Sequence, residues 1–182
     1  SVSGAGDVNG DGFSDVIVGA IGADPDGKSN AGESYVVFGK GSGFSADLDL
    51  SSLNGSNGFR LDGVDASDES GGAVSTAGDI NGDGFSDVII GAQEAANHVG
   101  ESYVVFGKGV EWGASLNLSA LDGSTGFRLR GVDSDYGDES GSSVSSVGDI
   151  NGDGFDDFVI GSLFASPAKK SYVVFGKASG WS

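Results

Sequence analysis

The sequence predicts an all-β fold assembled from repeated four-stranded units, on three observations. Glycine fills 35 of the 182 positions and proline only 2; with glycine at a usual ~7 per cent, this is a chain of many turns and no long helices. Apolar residues arrive as short, dense Val/Ile/Phe runs bounded by Gly, Asn and Asp, the pattern of buried strands between tight turns. One segment recurs three times: GDVNGDGFSDVIVGA at 6–20, GDINGDGFSDVIIGA at 78–92 and GDINGDGFDDFVIGS at 148–162. A repeat of ~70 residues marks supersecondary units that share a core with their neighbours.

The elements follow in order. SYVVFGK recurs at 34–40, 102–108 and 171–177, GFRL at 58–61 and 126–129, and an acidic turn ends in DESG at 68–71 and 138–141. In the middle unit the expected strands are 74–77, 87–92, 102–107 and 127–130. The second and third contain the continuous apolar runs Val88-Ile89-Ile90 and Tyr103-Val104-Val105-Phe106, which suit burial on both faces. The fourth alternates Phe127, Arg128, Leu129 and Arg130, as a half-exposed outer strand does. Four short strands repeated at this spacing make a β-propeller blade; a β-solenoid, the competing repeat, has a period nearer 20 to 30 residues.

The expected blades are 1–72, 73–142 and 143–182, and the third lacks its outer strand, leaving 11 strands in all. A propeller closes with 4 to 8 blades, so three leave apolar flanks open. Three solutions exist: two chains pairing as a homodimer into six blades, a piece of a longer propeller, or an open stack. The near-identity of the units fits recent duplication or a designed repeat.

Each turn between first and second strands carries D-x-N-x-D-G-x-x-D. The copies are Asp7, Asn9, Asp11 and Asp15; Asp79, Asn81, Asp83 and Asp87; and Asp149, Asn151, Asp153 and Asp157. Oxygens at alternate positions converge when the backbone coils tightly, and glycine at the sixth position (Gly12, Gly84, Gly154) permits the reversal. Phe13, Phe85 and Phe155 at the seventh would offer a main-chain carbonyl, and the last Asp closes the site from the next strand. An all-oxygen set in a flexible loop selects Ca²⁺ over Mg²⁺, giving three calcium sites. The competing reading is an Asn/Asp/Gly turn needing no metal. An EF-hand places its last acid at the twelfth position and enters a helix, whereas here Val16-Ile17-Val18 follows.

These residues resemble the FG-GAP repeat family, the blades of integrin α-subunit head propellers and their bacterial relatives. Phe38-Gly39, Phe106-Gly107 and Phe175-Gly176 supply FG, and Gly19-Ala20 and Gly91-Ala92 supply GA. Gly161-Ser162 departs from the pattern, and Ile21 and Gln93 stand where the family has Pro. The resemblance implies a calcium-stabilised extracellular or cell-surface propeller used in adhesion or ligand recognition, with no catalytic residues.

Alternating strands put the calcium loops and third-to-fourth connections on one face, and the second-to-third and fourth-to-first loops on the other. The resemblance assigns a protein or glycan ligand to that second face. The loops 21–32, 93–100 and 163–170, which differ most between copies, lie there. A carbohydrate-binding lectin is the alternative, with Trp112 or Trp181 stacking on a sugar; the competing role for both is to cover a blade edge. An accessory or structural propeller of a larger secreted protein or enzyme is the third class. Asp65, Asp68 and Glu69, with Asp133, Asp135, Asp138 and Glu139, could build a second cation site, against the safer reading of solvated acidic turns.

Composition narrows the rest. A net charge of −18 repels phosphate backbones and argues against nucleic acid. No apolar run reaches the ~20 residues of a membrane helix. Without cysteine there is no disulfide, thiolate or zinc–thiolate chemistry. The lone His98 has no evident orienting partner, no G-x-S-x-G elbow or P-loop occurs, and Lys169-Lys170 is too short for a basic patch, so no enzyme is expected. The chain begins at Ser1, lacks methionine and shows no signal-peptide pattern, and reads as a processed or excised product.

Overall fold

The computed structural model describes residues 1–132, 137–163 and 170–181. Asp133 and Asp135, most of the 163–170 loop and Lys169 lie outside the described residues. Each repeat folds as an antiparallel meander. The first sheet orders β1 (Val2–Gly6), β2 (Asp15–Ala20), β3 (Glu33–Val37) and β4 (Gly58–Asp62). The second orders β5 (Ala73–Gly78), β6 (Asp87–Ala92), β7 (Glu101–Val105) and β9 (Gly126–Arg130), while β8 (Ser115–Asn117) joins the first sheet instead. The third orders β10 (Ser140–Gly148), β11 (Asp157–Ser162) and β12 (Ser171–Val174). These are the sheets of propeller blades, and no fourth strand pairs with β12 among the described residues.

Pleating explains the continuous apolar runs. Val88, Ile90, Tyr103 and Val105 pack into a cluster with Ile17, Val36 and Phe59 of the first blade. Ile89 and Val104, which alternate with them, pack with Phe158 and Ile160 of the third. A run apolar at every position thus feeds two interfaces. β6 and β7 are buried at every residue, while β12, the edge strand of its sheet, alternates exposed and half-buried because none of the described residues pairs with its far side. The core lies between blades, not within them.

The sequence reading lacked a twelfth strand, β8. Residues 107–118 leave the second blade and cross the outer strand of the first. There Trp112 stacks on Phe59 at 4.0 Å between ring centroids and 6° between planes, and Lys108 Nζ sits over the indole 4.5 Å from its centroid. Ser115–Asn117 then pairs parallel with β4, Leu116 opposite Leu61. Three residues reading Ser-Leu-Asn carry no strand period; docking of the indole places them. Trp181 repeats the contact on Phe127 at 4.5 Å and 11°, under Lys177. Both indoles cover blade edges and neither is open to a sugar, being 8% exposed.

The same register break precedes each acidic loop, between Gly4 and Gly6, Thr76 and Gly78, and Ser146 and Gly148. Gly6, Gly78 and Gly148 take φ of +75°, +81° and +68°, a left-handed bulge that turns the chain out of the strand and into the loop. Trp112→Ala is expected to cost ~3–5 kcal/mol, as for a buried aromatic. It should appear as a lower urea midpoint, while Val110→Ala, on a side chain 68% exposed, leaves the midpoint in place.

Candidate metal centres

The bulge delivers each loop in one conformation. In the first, Asp7 Oδ1 accepts from the N–H groups of Gly10 (2.7 Å) and Asp11 (3.1 Å), and Oδ2 from Gly12 (2.9 Å). Asn9 Oδ1 accepts from Asp11 N–H at 3.0 Å, and Asp11 Oδ1 from Phe13 N–H at 2.9 Å. Asn9 Nδ2 donates to Asp11 Oδ2 at 2.9 Å. The second loop repeats this set through Asp79, Asn81, Asp83 and the Phe85 N–H. The third does so through Asp149, Asn151, Asp153 and the Phe155 N–H.

The ninth-position aspartates have another environment. Asp15, Asp87 and Asp157 begin β2, β6 and β11 and are buried. Asp87 Oδ2 accepts from Ile80 N–H at 3.1 Å, inside the loop, and Oδ1 from Gly107 N–H at 2.9 Å, at the end of the third strand. Asp15 does the same with Val8 and Gly39, both at 2.8 Å, and Asp157 with Ile150 (3.0 Å) and Gly176 (2.9 Å). One carboxylate thereby pins loop, second strand and the glycine of FG together. Sequence reasoning missed this bond; its signal was that an FG pair accompanies the ninth-position Asp in every copy.

The electrostatics follow burial. Burial pushes the Asp87 carboxyl up to about 8 against the two N–H bonds, and the charges of Asp83 and Asp79 push the same way. Burial also raises Asp15. Asp149, fully exposed, is lowered, chiefly by the Gly154 N–H. In each loop the carboxylates rest on amide donors rather than gathering on a common point. The donor chemistry nonetheless fits a hard cation: three carboxylates and an amide oxygen per loop, and a free lone pair on every carboxylate oxygen that accepts a single N–H.

At the opposite end of the blades, the second-to-third and fourth-to-first loops meet as the alternation requires. Glu69 N–H donates to Asn30 O at 3.0 Å and Glu139 N–H to His98 O at 2.9 Å. Asp68 and Asp138 are buried, which corrects the expectation of solvated turns. Asp68 Oδ2 accepts from Asp65 N–H, and Asp138 from Ser162 Oγ and the Tyr172 hydroxyl. They hold turns closed instead of facing water. His98 ends the one-turn helix α1 (Ala95–His98) and pairs through Nδ1 with Glu94, a partner the sequence did not reveal. Glu94, His98 and Glu139 bring their ligand atoms within 4.8 Å, the one such His/Asp/Glu trio among the described residues.

The FG-GAP repeat model matches residues 1–37, 70–105 and 140–175. The chain belongs to the FG-GAP repeat family. It is 33% identical over 168 residues to integrin alpha-4 of Xenopus laevis, covering 90% of this chain and 14% of that protein. It is 33% identical over 165 residues to phosphatidylinositol-glycan-specific phospholipase D of Bos taurus, covering 87% and 18%. Against integrin alpha-PS3 of Drosophila melanogaster it is 33% identical over 156 residues, 85% and 12%. The chain therefore spans less than a fifth of each relative. The FG of this FG-GAP chain is both an edge aromatic and the amide donor to the buried Asp.

A buried Asp with a raised pKa favours folding at low pH. In chelator, the unfolded chain ionises this group near pH ~4 while the folded chain keeps Asp87 protonated to about 8. Its contribution is complete below pH ~4 and is lost as pH rises through 8. The urea midpoint of the cation-free protein should therefore fall more steeply with pH than that of Asp87→Asn, and parallel slopes would refute the assignment.

Proposed function

We propose that this chain is a non-catalytic, calcium-stabilised recognition module working outside the cell or at its surface, with blades at 1–72, 73–142 and 143–182. The observation that carries the reading is the threefold recurrence of one loop conformation in which a buried ninth-position aspartate ties the loop to two strands. The ligands are the side chains of Asp7, Asn9, Asp11 and Asp15 with the Phe13 carbonyl. Asp79, Asn81, Asp83, Asp87 and Phe85 follow, and then Asp149, Asn151, Asp153, Asp157 and Phe155. Bound calcium would supply positive charge beside carboxylates that otherwise repel one another, and three ions would take the net charge from −18 to −12. Asp87 then ionises at less cost, and its bonds to Ile80 and Gly107 strengthen as charge-assisted ones.

The partner is a protein ligand on the opposite face, a reading supported by the two integrin alpha relatives. Between the first and second blades that face has a cavity of about 390 Å³ lined by Asp65, Asp68, Glu69, Glu94, Asn97 and His98 among others. An acidic rim of this kind selects a basic segment. The phospholipase relatives are named for an activity of whole proteins of which this chain matches under a fifth. A role as a binding propeller beside a catalytic domain fits them equally well.

Titration with Ca²⁺ should saturate three sites with Kd in the ~10⁻⁴–10⁻³ M range of extracellular modules. Asp11→Asn, Asp83→Asn and Asp153→Asn should each remove one ion from the native mass spectrum. EDTA should lower Tm by several degrees; an unchanged melt would sink the calcium reading.

A further inference from the structure

The acidic turn that leaves each blade packs on the second-to-third loop of that blade, and the two junctions share one main-chain frame. In the first, Glu69 N–H donates to Asn30 O at 3.0 Å and Ser70 N–H to Ala31 O at 3.0 Å. In the second, Glu139 N–H donates to His98 O at 2.9 Å and Ser140 N–H to Val99 O at 3.2 Å. Glu69 and Glu139 are both left-handed, with φ of +52° and +48°, and so are Asn30 and His98, at +51° and +67°. His98, the one histidine of the chain, therefore stands where the preceding copy has Asn30. The frame is the same; the side-chain chemistry is not.

In the second junction a nitrogen donor stands beside two carboxylates. His98 Nδ1 pairs with Glu94 Oε2, and Glu94 Oε1 accepts from Gln93 Nε2 at 3.3 Å, an outer bond of the kind that orients a ligating carboxylate. One donor atom each of Glu94, His98 and Glu139 lies within 4.8 Å of the others. The backbone sets all three in place: His98 N–H donates to Glu94 O at 3.1 Å, and the Glu139 N–H bond joins the distant turn to the same residue. Burial and the Glu94 charge push the Glu139 carboxyl up, with His98 acting against them, and a cation would relieve that repulsion. An ion with donors at ~2.0–2.2 Å draws them to roughly 3–3.5 Å apart. The half-buried Glu94 and Glu139 and the 64% exposed imidazole reach that spacing by side-chain rotation. Glu94 and His98 also line the cavity of about 390 Å³, so water can complete the coordination.

We propose that Glu94, His98 and Glu139 bind one Zn²⁺ ion, which clamps the second-to-third loop of the second blade to the turn that enters the third. An imidazole with two carboxylates suits a first-row transition ion, whereas Ca²⁺ and Mg²⁺ take oxygen donors. Among transition ions, Zn²⁺ accepts a four-coordinate set of three side chains and a water. The first junction offers Asn30 and Glu69 with no imidazole, and makes no such site. The zinc position lies at the end of the blades opposite the D-x-N-x-D-G loops. It needs neither calcium in those loops nor a basic segment in the cavity.

Isothermal titration of the full chain with Zn²⁺, in excess Ca²⁺ to compete at oxygen-only sites, should show one ion bound. His98→Asn, which restores the residue of the first junction and so keeps the loop, should weaken binding at least about tenfold, as loss of even an outer partner of a metal does. Glu139→Gln should do the same. Glu111→Gln, on an exposed strap residue, should leave the affinity in place. The imidazole ¹⁵N signals of the lone histidine are a second readout and should move to a new position at one equivalent of zinc. Without Ca²⁺, His98→Asn should still subtract one zinc equivalent, so this outcome is separable from failure of the calcium reading. Absence of Zn²⁺ binding in excess Ca²⁺ overturns the proposal. So does binding that survives His98→Asn or Glu139→Gln, or an imidazole signal that zinc leaves unmoved.

Discussion

A four-stranded sheet has two faces, and none of these blades can cover its own. Everything else in the molecule is arranged around that constraint. The middle blade meets it on both sides and is buried throughout β6 and β7; the outer blades meet it on one side only. Burial therefore varies with position in the stack and not with sequence. Ile150 and Ile80 occupy identical loop positions, Asp-Ile-Asn-Gly-Asp-Gly in both copies, yet one is exposed and the other sealed.

The acidic loops lie on the same junctions. The Asp7 and Val8 carbonyls, at the first and second loop positions, accept from the N–H groups of Ser86 and Lys108 in the next blade. The ninth-position Asp of the same loop reaches the FG glycine of its own blade. A loop is thus bonded to three strands of two blades. Whatever stiffens it also fixes the angle between blades, so charge compensation in the loop and cohesion of the stack are one problem. Burial raises the pKa of Asp87 because desolvation there outweighs two backbone N–H bonds, whereas the exposed Asp149 is lowered by the N–H groups it accepts from.

Strand order, blade character and loop positions were legible because each is written as a local pattern three times over. Asp87-Val88-Ile89-Ile90 between two glycine turns is a strand in any context. What was illegible depends on contacts between distant residues. β8 exists because Trp112, four residues earlier than Leu116, finds Phe59 more than fifty positions upstream. The buried state of Asp138, bonded to Ser162 and Tyr172 of the next blade, is equally a product of elements meeting across a blade junction, whereas the Glu94 partner of His98 depends on the short helical turn α1 that the loop adopts. The candidate metal ligands could be named from spacing, but not the amide of Gly107 that holds the ninth-position carboxylate in place.

The strap shows how strongly inter-blade burial dominates. Trp112 Nε1 is buried with no hydrogen-bond partner among the described residues, which costs ~1–3 kcal/mol. Its counterpart Trp181 avoids that cost by donating to Lys177 O at 3.0 Å. An indole that buries ~150–250 Å² gains ~4–6 kcal/mol at ~25 cal/mol per Å², and stacking adds ~0.5–1.5. The gain exceeds the penalty even with an orphaned donor, so the ring stays under Lys108 and on Phe59. The first blade's Phe44 lies under Lys40 in the same way but stacks on no ring among the described residues, and it stays 55% exposed, so it is the stack on the neighbouring blade and not the cation contact that buries the strap.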